Sequence, residues 1–212
     1  MIVRQLLYSA VLVFLLVLFP GAARSGDSYE FLRNSLKSPA ELQVLTKEGK
    51  EAASFCFNCH GDNGNSNIPE VPNLAEQNPR YILNQIDAFL SGTRKDAFMQ
   101  GLMKLLTERE RAGVALFFAS QKVIPASSTP GPLATTGEQL FKTYCARCHH
   151  EDARGGERFP RLAGQQPEYL KINLNRYLTM SDVRYSPEMN NAVHQLGQAN
   201  IPAITDYLSS LK

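Results

Sequence analysis

The chain has 212 residues, a formal net charge of +2, 43% hydrophobic and 20% charged residues, four Cys, four His and no Trp. This is an ordinary globular composition with length for one large domain or two small ones, and it excludes disordered and collagen-like chains. So small a charge, with no basic run, also argues against a nucleic-acid partner.

Arg4 precedes an apolar stretch from Leu6 to Phe19, followed by Pro20-Gly21 and the small residues Ala22, Ala23, Ser25 and Gly26. A positive start, an apolar core, a helix breaker and a small-residue region make residues 1–25 a signal peptide by expectation, or a retained anchor if cleavage fails. The apolar stretch falls short of the roughly 20 residues that cross a bilayer comfortably. Arg4 and Arg24 are its only charges, so the +2 belongs entirely to the targeting segment. The rest of the chain is predicted to be periplasmic, with peripheral or anchored membrane association open to it.

Residues 26–38 read as an N-terminal extension, 39–120 as a first domain, 121–136 as a linker and 137–212 as a second domain. The linker holds Pro125, Ser127, Ser128, Pro130, Gly131 and Pro132 without apolar periodicity. The two domains are a repeat. Cys56-Phe57-Asn58-Cys59-His60 returns as Cys145-Ala146-Arg147-Cys148-His149, and Pro72-Asn73-Leu74-Ala75 returns as Pro160-Arg161-Leu162-Ala163. Arg94 and Met99 return as Arg184 and Met189.

Apolar positions repeat with a helical period. A helix from about Pro39 to Phe55, and another from Gly137 to Tyr144, should run into the two Cys pairs. Tyr81, Ile82, Ile86, Phe89 and Leu90 match Tyr169, Leu170, Leu174, Tyr177 and Leu178, one face of a helix beginning near Pro79 or Pro167. Leu106, Val114, Phe117 and Phe118 match Leu196, Ile204, Tyr207 and Leu208, one face of a C-terminal helix opened by that first Leu. Glu108 to Arg111 should form its solvated side. No strand alternation appears, so the fold class is all-α, each unit a few helices wrapped around one cofactor.

All four Cys lie in CxxC pairs directly followed by His, the attachment pattern of c-type haem. Two thiols three positions apart on a helical turn reach the two vinyl groups of one porphyrin, and the next imidazole reaches the iron. A four-Cys zinc site would not need His60 and His149, thioredoxin-like pairs would want a βαβ setting, and short CxxC loops are not usual disulfide staples. Two covalently bound haem c groups are therefore predicted, with Cys56, Cys59, Cys145 and Cys148 as attachment points and His60 and His149 as proximal ligands.

Met99 and Met189, repeat-matched in the segment between two helices, are the predicted distal ligands. Met103 matches Val193 and reads as a packing residue. Met180 and His194 are the rivals for the second haem. The carbonyls of Pro72 and Pro160, 12 and 11 residues after the ligand His, are candidate acceptors for its other ring N–H. Met/His ligation saturates iron and raises its potential, which favours outer-sphere electron transfer over catalysis.

The run His60-Gly61-Asp62-Asn63-Gly64-Asn65-Ser66, with Pro69, Pro72, Leu74-Ala75, Gln77, Tyr81-Ile82, Gln85, Phe89, Gly92, Arg94 and Met99, resembles the first domain of the diheme cytochrome c4 family. The likeness extends over roughly Gly49 to Lys212. It implies tandem class I cytochrome c domains about a pseudo-twofold axis, haem propionates facing each other, His/Met ligation at both irons, and periplasmic electron delivery towards a terminal oxidase. The second half departs from the pattern at His150 (for Gly61), at Gly155-Gly156 (offset from Gly64) and at Met180-Ser181-Asp182, which concerns the exposure and partner surface of the second haem.

The expected function is therefore an electron carrier, not an enzyme, between a quinol-oxidising complex or dehydrogenase and a terminal oxidase. The alternatives are an electron-transfer subunit of a periplasmic dehydrogenase, such as sulfide dehydrogenase, and a diheme peroxidase or thiosulfate-oxidising cytochrome. The last two need an open or substrate-reactive iron position, and all four Cys are already used for attachment.

Overall fold

The computed structural model describes residues 27–212, so the expected signal peptide lies outside the described residues. The described residues form α-helices joined by loops, and the only extended pairing among them is an isolated antiparallel bridge between Arg94 and Arg184. No helix among them is long and apolar enough to cross a membrane.

The first group comprises α1 (Ser28–Ser35), α2 (Pro39–Ala52), α3 (Phe57–His60), α4 (Pro79–Ser91), α5 (Ala97–Met103) and α6 (Glu108–Ser120). The second comprises α7 (Ala134–Tyr144), α8 (Ala146–His149), α9 (Pro167–Leu178), α10 (Pro187–Leu196) and α11 (Ile201–Ser209). Each group buries its own cluster, with Leu45, Leu83 and Phe118 in the first and Phe141, Ile204 and Leu208 in the second. Proline opens α2, α4, α9 and α10, where its missing N–H costs nothing. Helix α6 is started by a capping box between Thr107 and Glu110.

The frame of each group is a helix crossing at backbone contact. A Cβ on Gly49 of α2 would overlap the Gly113 carbonyl of α6, and one on Gly137 of α7 would overlap the Ala203 carbonyl of α11. Only glycine permits that approach on the α2 and α7 sides.

Several expectations need correction. The expected extension contains α1, which buries Ser28, Leu32 and Ser35 on one side. Tyr29 donates to Asp87 at 2.6 Å, and Ser28 bonds Glu108. Helix α7 starts at Ala134, so the last residues of the expected linker are helical. The rest of that linker is strapped first to the first group, Val123 N–H donating to Glu76 at 3.0 Å and Ile124 N–H to Asn65 at 2.7 Å, and then to the second, Ala126 N–H donating to the Gly164 carbonyl at 3.2 Å and Ser127 N–H to that of Ser209 at 3.0 Å. Glu108 to Arg111 are not simply solvated: Arg109 bridges Glu41 and Glu48 at 2.9 and 2.7 Å, tying α6 to α2. Leu106 lies before the cap of α6 and Leu196 ends α10, so neither opens a C-terminal helix.

Candidate functional site: the two CxxCH turns and the seam between them

Each Cys pair spans one helical turn, which brings side chains at i and i+3 to the same side. Cys56 and Cys145 occupy the caps of α3 and α8, and His60 and His149 are the last residues of those helices. All four thiols are free and half-buried. Burial pushes the Cys56 thiol up, and that of Cys145 up to about 12. Among the described residues no three His, Cys, Asp or Glu gather as a metal site, so the two Cys pairs do not combine into a zinc centre.

Both imidazoles are buried, and their Nδ1 atoms lie 2.9 Å from the Pro72 carbonyl and 3.0 Å from the Pro160 carbonyl. A carbonyl only accepts, so Nδ1 carries the proton and Nε2 presents its lone pair. Burial lowers both imidazoles below the ordinary value, against the opposing pull of these hydrogen bonds. His149 Nε2 is buried without any partner. An orphaned buried lone pair beside two free thiols fits a covalently attached, iron-bearing macrocycle in the second half, and the first half repeats the Cys pair and the Nδ1-to-carbonyl bond.

Met99 and Met189 are not in a segment between helices as expected. Each is the third residue of a helix, α5 or α10, and each backbone N–H is capped, by Asp96 at 2.9 Å and by Ser186 at 3.4 Å. Both side chains pack against their group's core cluster. Met103 is fully inside the first core, whereas Met180 and His194 are exposed.

The second-half departures preserve the loop shape. Gly61 and His150 both have φ above +60°, and Gly64 (φ +74°) is matched by Ala153 (φ +56°). The Gly64 carbonyl accepts from Leu74 and Ala75 at 2.7 and 3.0 Å, and that of Ala153 from Leu162 and Ala163 at 2.8 and 3.1 Å. Gly155 is therefore not a displaced Gly64. A Cβ there would overlap the Phe159 and Pro160 carbonyls, the latter being the acceptor for His149.

The seam between the groups contains residues whose role sequence reasoning did not find. The Gln77 amide accepts from Arg161 N–H at 2.8 Å and donates to its carbonyl at 3.0 Å. Gln165 does the same to Asn73, at 2.7 and 3.0 Å. Asn73 and Arg161 directly follow the two His-supporting prolines. The only signal was that both Gln recur in the repeat. The Arg161 guanidinium, buried, faces Glu76 of the other group at 3.7 Å.

Nearby, Arg184 donates to Tyr177 (2.6 Å), Tyr169 (2.8 Å), Asn173 (3.1 Å) and, across the seam, Tyr81 (3.0 Å). Arg94 reaches the same Tyr169 hydroxyl at 3.2 Å and Gln85 at 2.9 Å. Burial pushes Tyr169 up, but the two guanidiniums outweigh it and bring the phenol down to about 8. Among the described residues no carboxylate pairs with either guanidinium of this cluster, whose hydrogen bonds go to phenol and amide oxygens.

A cytochrome c family model matches residues 134–212. Cytochrome c4 of Pseudomonas aeruginosa is 32% identical over 175 residues, covering 77% of this chain and 87% of that protein. A thiosulfate dehydrogenase electron acceptor of Thiomonas intermedia is 33% identical over 139 residues, covering 60% of this chain and 64% of that protein. The crystal structure of reduced recombinant cytochrome c4 from Pseudomonas stutzeri matches with a TM-score of 0.72 at 28% identity, over 79% of this chain and 98% of that one.

Proposed function

This chain belongs to the cytochrome c4 family and binds two covalent haem c groups, and from that premise we propose that it carries electrons by outer-sphere transfer in the periplasm, from a quinol-oxidising complex or dehydrogenase to a terminal oxidase. Cys56 and Cys59, with Cys145 and Cys148, hold the macrocycles in this reading. His60 and His149 would hold iron through Nε2, with Met99 and Met189 as its second protein ligands. When bound, haem supplies a one-electron iron couple.

The chain's residues do the rest. The Pro72 and Pro160 carbonyls keep the proton on Nδ1, which fixes each ring and raises its basicity as a ligand. The two core clusters exclude water. Arg94, Arg184, Tyr81 and Tyr169 offer positive charge and donors at the seam, suited to haem carboxylates. The observation that carries the reading is the matched Nδ1-to-carbonyl bond in both halves, with the second Nε2 left buried and unpartnered. With Met99 and Met189 as ligands, neither iron would have a position for peroxide or thiosulfate, which favours the carrier over the peroxidase and thiosulfate-oxidising alternatives.

Met99→Ala and Met189→Ala should each lower the potential of one haem, open it to cyanide and remove its Met–iron charge-transfer absorption. Met103→Ala should do none of these. If Met103→Ala removes that absorption and Met99→Ala keeps it, the ligand assignment is wrong; a stable high-spin, peroxide-reactive haem in the unaltered protein sinks the carrier reading. Similarity to a thiosulfate dehydrogenase electron acceptor supports a second reading, in which a periplasmic dehydrogenase is the dedicated donor. Co-purification from native membranes separates the two.

A further inference from the structure

The main hydrogen bonds across the seam come in twofold-related pairs. Gln77 grips two backbone groups of Arg161, and Gln165 grips the same two groups of Asn73. Arg184 donates to Tyr81 at 3.0 Å, and their counterparts Arg94 and Tyr169 are joined at 3.2 Å. The extended bridge links Arg94 to Arg184, one position of the repeat to its own match. Nothing in these contacts tells a first half from a second half. Two copies of the same half, from different chains, would form every one of them as well.

The ion pairs across the seam do not repeat. They join Glu76 to Arg161 at 3.7 Å, Lys95 to Asp182 at 2.7 Å and Arg80 to Glu157 at 3.6 Å. The counterparts of Glu76 and Arg161 are Gly164 and Asn73. These meet on the other side of the twofold, where the Asn73 amide donates to the Gly164 carbonyl at 2.9 Å. Lys95 and Asp182 are matched by Tyr185 and Gly92, and Arg80 by Glu168. Neither Ile68 nor Pro69, at the place of Glu157, is charged. The seam is thus alike on its two sides in these hydrogen bonds and unlike in its charges.

One of the three pairs reaches the interior. Arg161 is 5% exposed, and its Nε and Nη2 have no hydrogen-bond partner. Burial lowers this guanidinium, and Glu76 is the foremost charge opposing that. Asp152, the carboxylate of its own half that acts on it, is exposed and lies 4.0 Å from Arg154. Glu76 holds φ at +53°, a conformation that its counterpart Gly164 adopts freely at +73°. The strained residue has two uses: it accepts from Val123 N–H at 3.0 Å and faces Arg161. A first half against a first half would leave two glutamates that water can solvate. A second half against a second half would bury two Arg161 guanidiniums opposite Gly164 and set Glu168 towards Glu157. Burying a charge without its partner is heavily unfavourable.

We infer that the Glu76–Arg161 pair, with Lys95–Asp182 and Arg80–Glu157 at the rim, is a recognition code by which a second half accepts only a first half, so that copies of this chain do not join through like halves. Exposed pairs add little stability, so their contribution is to discrimination. Because each half binds haem, the code sets one haem of each kind across every seam.

The test uses the holoprotein, whose covalent haems stay with the chain through denaturant. Glu76→Arg, Arg161→Glu and the two together are refolded from urea, and an unchanged haem absorption spectrum verifies that each half has folded. Each single variant sets like charges against each other. The equilibrium between closed and open monomer should fall about ten-fold or more, and sedimentation should show an expanded monomer or an oligomer. The double variant restores opposite charges and should recover most of that loss. Mixed before refolding, the two single variants should form a heterodimer. The first half of Glu76→Arg then faces the second half of Arg161→Glu, and the remaining halves carry the natural pair. Lys95→Asp and Asp182→Lys, both exposed, supply a second set in which the core is untouched, with the same pattern at about two- to five-fold. Compact, unshifted monomers for both buried single variants overturn the code. Absence of recovery in both double variants overturns it too, because packing and not charge is then the cause. Like-half dimers of the unaltered protein after refolding would show directly that the seam does not discriminate.

Discussion

His60 and His149 give their Nδ1 protons to proline carbonyls, which commits each ring to one tautomer and aims the other nitrogen into the core. Burial depresses both imidazoles below the ordinary value, so the folded chain holds these rings neutral, the form in which Nε2 can act as a ligand. Both motifs, and the two proline carbonyls beside them, were legible in the sequence, since spacing alone limits what a five-residue turn can reach. Ala153 in the left-handed region was not. Its φ follows from the bonds that Leu162 and Ala163 make to its carbonyl, and non-glycine residues adopt such angles only when surroundings hold them, at about 1–3 kcal/mol.

At the level of elements, helix starts at Pro79 and Pro167 agree with the prediction because proline at the first position fixes φ locally. The starts of α6 and α11 were misplaced for a physical reason. Leu106 and Leu196 lie seven residues after Met99 and Met189, two turns along the same inward face, so periodicity assigns them to the wrong helix. The caps that separate the helices, Thr107 with Glu110 and the positive-φ Gly197, decide the boundary. The crossing of α2 with α6 makes its own prediction. Gly49→Ala should destabilise the first group by about 1–3 kcal/mol, since a Cβ has only backbone to displace. Gly101→Ala, in open space on α5, should stabilise by about 0.5–1 kcal/mol. Thermal unfolding of the two holoprotein variants checks the pair, and equal effects would remove the packing explanation.

On the scale of the whole molecule, the two halves are joined at the residues that follow their His-supporting prolines. Each of Gln77 and Gln165 satisfies a backbone N–H and a backbone carbonyl of the opposite half in a buried seam. Gln77→Ala with Gln165→Ala strands those groups, at about 1–3 kcal/mol for each buried group left unpaired. Calorimetry of the holoprotein should then resolve separate unfolding of the halves or a clearly lower midpoint, and a single unshifted transition would show the seam to be held elsewhere. Arg184 adds a second tie, because its hydrogen bonds go to three residues of its own half and to Tyr81 of the other. The twofold is not perfect: Arg94 lies over Phe89 at 4.5 Å where Arg184 has the Tyr177 hydroxyl.

By itself the sequence determined the helical class, the duplication and the covalent haem chemistry, because each is written in spacings of a few residues that local geometry converts directly into reach, while the family entered through resemblance. The tertiary structure decided which surfaces meet. It placed α1 on the first core, strapped the linker to both halves, turned Gln77 and Gln165 into cross-links and left Phe55, Phe98 and Leu105 facing water. Helical periodicity specifies an apolar face without saying what covers it. For α5 both faces are apolar, and only packing against the core shows which one is left in water.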